Sequence, residues 1–496
     1  MTVNDELFAA AGVAIAAGRA LRDPDFPRLH VAPPTGRLND PNGLIYHDGR
    51  YHAFYQFGPF FPERRLVFWG HATSPDLLHW EQRPPALAPG DPYDHTGVYS
   101  GGAIHHEGNV WLHYTGNLKH ADGSRDSSQC AAVSPDLGSL RKLPANPLIP
   151  GPPPGYTAHF RDPQVWRTAD GFRMCLGGQR NNETGCALLY RSDDLVAWTF
   201  EGELTFPGQE ERFTRLGFMW ECPNLIPMID AVTGQRRTVL IFCPQGIRLD
   251  DGRGHNAYPA GYVVGTLDGT EFHDAGAFHE LDRGFEFYAP QCFARPGGED
   301  DPVILMGWAG NPDEDDQPSL ADHGWVHLLT LPRALTLHNG LLRQRPTGGI
   351  TELAATPLAE PWTAVEGSHA FDRLLGVRSF VLDLELDLAA ETRCDVILDS
   401  SPASSRLVMS IEGGELTVDR GRTRYPRGGR RSLALPDAER VRLRVVQDSS
   451  ITEIFVGDGE AVFTLRTYLA PGVRSVSLRT TDRVFLVRAD AALPNE

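Results

Sequence analysis

At 496 residues the chain is long enough for two or three domains with an ample buried core. Its formal charge of −18 disfavours nucleic acid and anionic membrane surfaces as partners, and no window is long and apolar enough to span a bilayer. Seven cysteines, an odd number without CxxC spacing, read as free thiols in a reducing compartment, so a cytoplasmic protein is expected.

In chain order, residues 1–27 are an Ala-rich segment with acids at Asp5 and Glu6 and no basic region ahead of its apolar part. A short helix lying against the next domain is expected there. Residues 28–345 alternate short apolar runs with Gly, Pro and Asp punctuation, the pattern of strands and turns. Within them a short motif returns five times at a spacing of about sixty residues. Its copies are Asn39-Asp40-Pro41-Asn42, Ser100-Gly101-Gly102-Ala103, Arg161-Asp162-Pro163-Gln164, Glu221-Cys222-Pro223-Asn224 and Tyr288-Ala289-Pro290-Gln291. Four contain a proline followed by an amide, and three carry an acid within two residues before it. A second string, Ser74-Pro75-Asp76-Leu77, recurs in phase as Ser134-Pro135-Asp136-Leu137 and Ser192-Asp193-Asp194-Leu195, with a weaker echo at residues 267–272. Such turns close the outer strand of a blade. The expected unit is a five-bladed β-propeller, whose axis would bring Asp40, Asp162 and Glu221 together across one mouth.

Residues 346–365 have weak periodicity and read as a connector. Residues 366–496 alternate apolar and polar positions, as in Phe380-Val381-Leu382-Asp383-Leu384-Glu385-Leu386, which predicts an antiparallel β-sandwich. The whole chain is therefore expected to be all-β: a propeller, then a sandwich, with a short N-terminal helix.

Three carboxylates converging on a cleft form a hydrolase constellation. Glycoside hydrolysis needs two carboxyl groups flanking the scissile bond, about 5–5.5 Å apart when configuration is retained. Each acid also has a plain structural reading: Asp40 in an Asp-Pro-Asn-Gly turn, Glu221 in a salt bridge at a strand end, Arg161–Asp162 as an ion pair. Their shared register favours function. Glu221, beside Met219 and Trp220, is expected to lose water and so to favour the protonated form that a general acid requires. Asp162, following Arg161, is expected to stay ionised.

The strings Asn39-Asp40-Pro41-Asn42-Gly43, Phe54-Tyr55-Gln56, Trp69-Gly70-His71-Ala72, Tyr99-Ser100-Gly101, Arg161-Asp162-Pro163, Trp220-Glu221-Cys222-Pro223 and Phe287-Tyr288-Ala289-Pro290-Gln291 resemble glycoside hydrolase family 32, the invertase, β-fructofuranosidase and sucrose-6-phosphate hydrolase group. So do Asp448-Ser449-Ser450 and Glu453-Ile454-Phe455 in the second domain. The resemblance covers most of the chain and implies a propeller plus sandwich. It implies Asp40 as the nucleophile, Glu221 as acid and then base, and Asp162 as the group that stabilises an oxocarbenium-like transition state. Asn39, Gln56, Trp69, Ser100 and Arg161 would line the fructose subsite, with Trp69 as an apolar wall. No metal or organic cofactor is implied, since two carboxylates suffice, and the His105-His106 pair reads as strand or surface. The partner is a small sugar, for a monomer or a homodimer.

The chain departs from the family pattern at Arg37, where a Trp is usual, in the loop carrying Arg64 and Arg65, and at Glu286, where an Asp is common. Arginine matches phosphate bidentately, so these three arginines are candidate contacts for a phosphorylated leaving group, unless they pair with nearby acids such as Glu63. The expected reaction releases β-D-fructose from sucrose, sucrose 6-phosphate or short β-fructosides. A fructosyltransferase or an exo-fructanase would use the same residues. A non-catalytic sugar-binding relative would have no need of all three acids.

Overall fold

The computed structural model describes residues 3–247, 256–295, 301–389, 391–435 and 437–494. Five antiparallel sheets of four principal strands follow one another along the chain and surround a common axis. Their innermost strands are Gly36–His47, Gly97–His106, Tyr156–Thr168, Met219–Ile229 and Tyr288–Cys292, defining blades I to V. The ring closes where Trp325–Val326, in an excursion of blade V, pairs in parallel with Gly36 and Arg37 of blade I.

The recurrent motif has a backbone counterpart. In every blade the register of the innermost strand against its neighbour breaks at the motif, between Leu38 and Pro41, Tyr99 and Gly101, Arg161 and Gln164, Glu221 and Asn224, and Tyr288 and Gln291. Proline suits such a break because no ladder hydrogen bond is asked of its nitrogen. In blades III, IV and V the residue before that proline is left-handed: Asp162 (φ 66°), Cys222 (φ 48°) and Ala289 (φ 45°). Blade I uses Gly43 instead (φ 52°), where a Cβ would also press on Phe54 and Trp69 at 3.1 Å.

The amides that follow the prolines join one blade to another, two of them adjacent blades and Gln291 blade V to blade II. Gln164 accepts from Leu225 N at 2.8 Å, linking III to IV, and Asn224 accepts from Cys292 N at 3.2 Å, linking IV to V. Gln291 donates to Gly101 O at 3.0 Å. In the second motif, Ser74, Ser134 and Ser192 each donate to the Asp two residues on at 3.0–3.1 Å. The leucines that follow are buried and left-handed.

The C-terminal strands form the expected sandwich around one apolar core. Strand Val473–Ala492 serves both layers: its first half pairs with Cys394–Ser401 and its second with Ser379–Asp387. Residues 363–370 already pair with this strand. Helix Val3–Ala17 buries Ala11 and sets Phe8 edge-on to Phe68 of blade I.

The propeller and the sandwich share a buried polar seam. His30 lies between Asp448 (2.8 Å) and Glu453 (3.1 Å), all three side chains fully buried. Glu453 also accepts from Arg333 at 2.6 Å, and Arg333 donates to Asp282 at 3.0 Å. The family-like sandwich strings therefore hold the domains together. Glu286 belongs to the same seam, buried and paired with Arg420 of the sandwich at 2.6 Å.

Among the described residues no helix is long and apolar enough to cross a membrane.

Candidate active site

The broken register at each motif turns side chains toward the axis, and three acids meet there. Asp40 is half-buried and held by three side chains: Asn39 Nδ2 donates to Oδ1 at 3.0 Å, while Gln56 Nε2 (3.0 Å) and Ser100 Oγ (2.5 Å) donate to Oδ2. Gln56 also donates to Ser100 Oγ. Burial pushes the Asp40 pKa up; Ser100 and Asn39 oppose it, and the charge of Glu221 adds to it.

Asp162 is buried at the left-handed step of blade III and accepts from Cys222 N at 3.1 Å. Burial raises its pKa to about 7, against the pull of Arg161 and with the push of Glu221 and Asp40. The charges of the three acids thus act on one another. The cationic neighbour expected for Asp162 is present, but burial and the other two acids oppose the ionised form. The Arg161 fork points instead at Glu221 Oε1, by Nε at 2.9 Å and Nη2 at 2.6 Å, and lies 4.0 Å from Asp162.

Glu221 has a second set of donors on Oε2: Gln245 Nε2 at 2.7 Å and the Tyr288 hydroxyl at 2.6 Å. Its expected apolar setting is absent. Trp220 points the other way, as strand neighbours do, into the blade III–IV core against Phe206 and Phe242, with Nε1 on Leu216 O. Polar donors rather than Trp220 and Met219 surround the carboxyl. Arg161, Glu221 and Tyr288 occupy one position of the repeat, two residues before the proline in blades III, IV and V, which explains why they touch. Tyr288 is therefore legible in the repeat, whereas Gln245, from the second strand of blade IV, has no motif to announce it.

Trp69, expected to wall the fructose subsite, exposes no surface. It packs against Phe54 and Tyr114 and donates to Tyr99 O at 3.1 Å, supporting the strand that carries Ser100. Arg37 gives Nε to Asp315 (2.7 Å) and Nη1 to Asn39 (2.7 Å), and lies 5.0 Å from the Trp308 ring centre. Its charge is matched, and it braces the Asn39 amide that touches Asp40. Arg64 and Arg65 are exposed, Arg65 lying 5.3 Å from the ring centre of Phe61. Among the described residues no His, Cys, Asp and Glu cluster has the arrangement to hold a metal ion.

Residues 30–346 match the model of the glycosyl hydrolases family 32 N-terminal domain, and residues 351–487 that of the family 32 C-terminal domain. The chain belongs to glycosyl hydrolase family 32. It is 39% identical to a sucrose-6-phosphate hydrolase of Salmonella typhimurium over 91% of this chain and 90% of that protein. It is 36% identical to a sucrose-6-phosphate hydrolase of Bacillus subtilis over 93% and 92%. Among solved structures it resembles the sucrose-6-phosphate hydrolase of Lactobacillus gasseri (TM-score 0.81, 30% identity, 96% of both chains). A family 32 β-fructofuranosidase of Bombyx mori is similar to the same degree (TM-score 0.81, 29% identity, 99% and 98%).

Proposed function

We propose that this family 32 enzyme is a retaining β-fructofuranosidase that releases fructose from sucrose 6-phosphate, with sucrose and short β-fructosides as poorer substrates. The observation that carries the mechanism is the contrast between Asp40 and Glu221. Asp40 has both oxygens steadied by neutral donors, so it keeps a carboxylate aimed and available. Glu221 is held across the site by one cationic fork, the Gln245 amide and one hydroxyl that can rotate. Asp40 attacks the anomeric carbon of the fructosyl unit as Glu221 gives a proton to the bridging oxygen. The Tyr288 hydroxyl can accept from Glu221 when the acid carries that proton and donate to it afterwards. Water, deprotonated by Glu221, then opens the fructosyl ester of Asp40. Asp162 holds fructose hydroxyls, where hydrogen bonds that strengthen in the transition state raise the rate and not only the affinity. Asn39, Gln56, Ser100 and Arg161 complete the fructose subsite.

The propeller, residues 28–345, carries this chemistry, and the sandwich, residues 366–496, is joined to it by the buried polar seam. Seven unpaired cysteines and a phosphorylated substrate fit a cytoplasmic enzyme. Steady-state hydrolysis of sucrose, sucrose 6-phosphate, 1-kestose and inulin, with fructose and aldose measured separately, tests the reading. The highest kcat/KM is expected on sucrose 6-phosphate, and absence of fructose from all four overturns the proposal. A transferase would instead give longer fructosides at high sucrose.

A further inference from the structure

Buried and half-buried arginines of the propeller have acids to face: Arg37 has Asp315, Arg161 has Glu221 and Arg180 has Glu203. Arg125 is the exception. It is half-buried, and among the described residues its guanidinium has no hydrogen-bond or ion-pair partner. It opens strand Arg125–Ser134, the third of blade II. Farther along the same face, Ser127 Oγ donates to Ala158 O (2.9 Å) and Gln129 Nε2 to Phe160 O (3.1 Å). Residues two apart on a strand share a face, so Arg125 projects over the rim end of the blade III strand that carries His159 and Arg161. Burial holds its pKa down and the charges of Arg161, Tyr99 and Glu221 act on it, in agreement with that placement beside the mouth. The neighbouring acid does not serve it: Asp126 alternates to the other face and pairs with His120 at 2.9 Å.

Two further groups complete an anion-binding edge. Lys119 is the cross-strand partner of Arg125 and lies 5.9 Å from the Tyr99 ring centre. Arg161 Nη1 donates to His159 Nδ1 at 3.1 Å, and because arginine only donates, the His159 proton sits on Nε2, free to be given to a ligand. Burial and the charges of Arg161 and Arg125 hold the His159 pKa down at about 4, so this donor stays neutral at working pH.

We propose that Arg125, with Lys119 and His159 Nε2, binds the phosphate monoester on the leaving group and sets the preference for phosphorylated over free sucrose. The inference rests on the fructosidase reading for its substrate and departs from the Arg37, Arg64 and Arg65 assignment. Arg37 already has its acid, and Arg64 and Arg65 are exposed to water, where ion pairs contribute little; Lys119 is exposed as well and adds to the site only beside the half-buried Arg125 and His159. A phosphate monoester near neutral pH brings a charge of about −1.5 to −2 and three acceptor oxygens, which suits a guanidinium fork, an ammonium and a neutral N–H.

The test compares kcat/KM for sucrose 6-phosphate and sucrose in the wild type, Arg125→Gln and Arg125→Lys, alongside calorimetric binding of glucose 6-phosphate and glucose, which needs no turnover. Arg125→Gln should lower kcat/KM on the phosphorylated substrate about 10- to 100-fold more than on sucrose, mostly through KM, with a parallel loss of glucose 6-phosphate affinity. Arg125→Lys should recover part of both. Equal losses on the two substrates, or wild-type enzyme that binds glucose 6-phosphate no better than glucose, overturns the assignment while leaving fructoside hydrolysis intact. If the wild type releases no fructose yet binds glucose 6-phosphate through Arg125, the fructosidase reading fails and the phosphate site stands.

Discussion

Replacing His30 by Gln tests how the two domains are held together. Burial alone would lower the His30 pKa, but hydrogen bonds to Asp448 and Glu453, and their charges, outweigh it and raise the value from 6.5 to about 9. The imidazole is therefore a cation clamped between two carboxylates. A rise of about 2.5 units corresponds to roughly 3 kcal/mol of stability at 1.36 kcal/mol per unit. Because the folded value lies above the unfolded one, this contribution is complete below about pH 6.5 and is lost as pH rises through about 9. Asp448 and Glu453 are held below their usual values, Glu453 chiefly by Arg333 and both by His30 once burial is overcome, so both stay ionised through that window. Urea unfolding at several pH values between 6.5 and 9 reads the effect. The wild type should lose about 1.2 kcal/mol per pH unit from this one group in the middle of the range, and less toward either end. His30→Gln should be less stable by about 3 kcal/mol at pH 6.5, with the gap closing toward pH 9. A variant whose stability falls with pH as steeply as the wild type's would refute the clamp.

Three further outcomes follow from the site. Asp40→Ala should remove nearly all turnover with an unchanged circular dichroism spectrum and Tm; activity above a few per cent would reject Asp40 as the nucleophile. Glu221→Gln should slow fructosides with poor leaving groups far more than an activated aryl fructoside, because only the former need a proton donor; an equal loss on both would argue against the acid role. The acidic limb of kcat/KM should lie above the ordinary carboxylate range, since burial raises both Asp40 and Asp162, the latter to about 7. Removing one of two coupled charges in Asp162→Asn should move that limb to lower pH in the activity that remains, and an unmoved limb would assign it to another group.

The sequence was most legible where one physical problem is solved five times. Each innermost strand must bend at the axis, and in four of the five a proline at the break is followed by an amide, at a spacing of about sixty residues. That periodicity brought the acids into phase, although most of what repeats is mechanical: Gln164 and Asn224 staple blades and touch no acid. Legibility failed where nearness along the chain was taken for nearness in space. Trp220 adjoins Glu221 in sequence and points away from it, while Tyr288 and Gln245 are 67 and 24 residues distant and donate to it. Trp69 differs from the expectation for a related reason: an aromatic in a family string can act from behind, through a buried contact with the Tyr99 carbonyl.

Arg125 shows the limit most sharply. No motif contains it, and an arginine opening a strand after a polar turn is unremarkable in a sequence. It stands out because its face, its half-burial and the lack of an ion-pair partner among the described residues hold together only in three dimensions. A half-desolvated cation without a counter-ion is costly, so a fold that keeps one at the rim of a carboxylate pocket leaves a place for an anion that arrives with the substrate. The acids on the floor of the same pocket would repel that anion if the two were close. The charge of Glu221 is matched by the Arg161 fork and Asp40 is held by three neutral donors, so phosphate recognition and carboxylate chemistry can share one mouth.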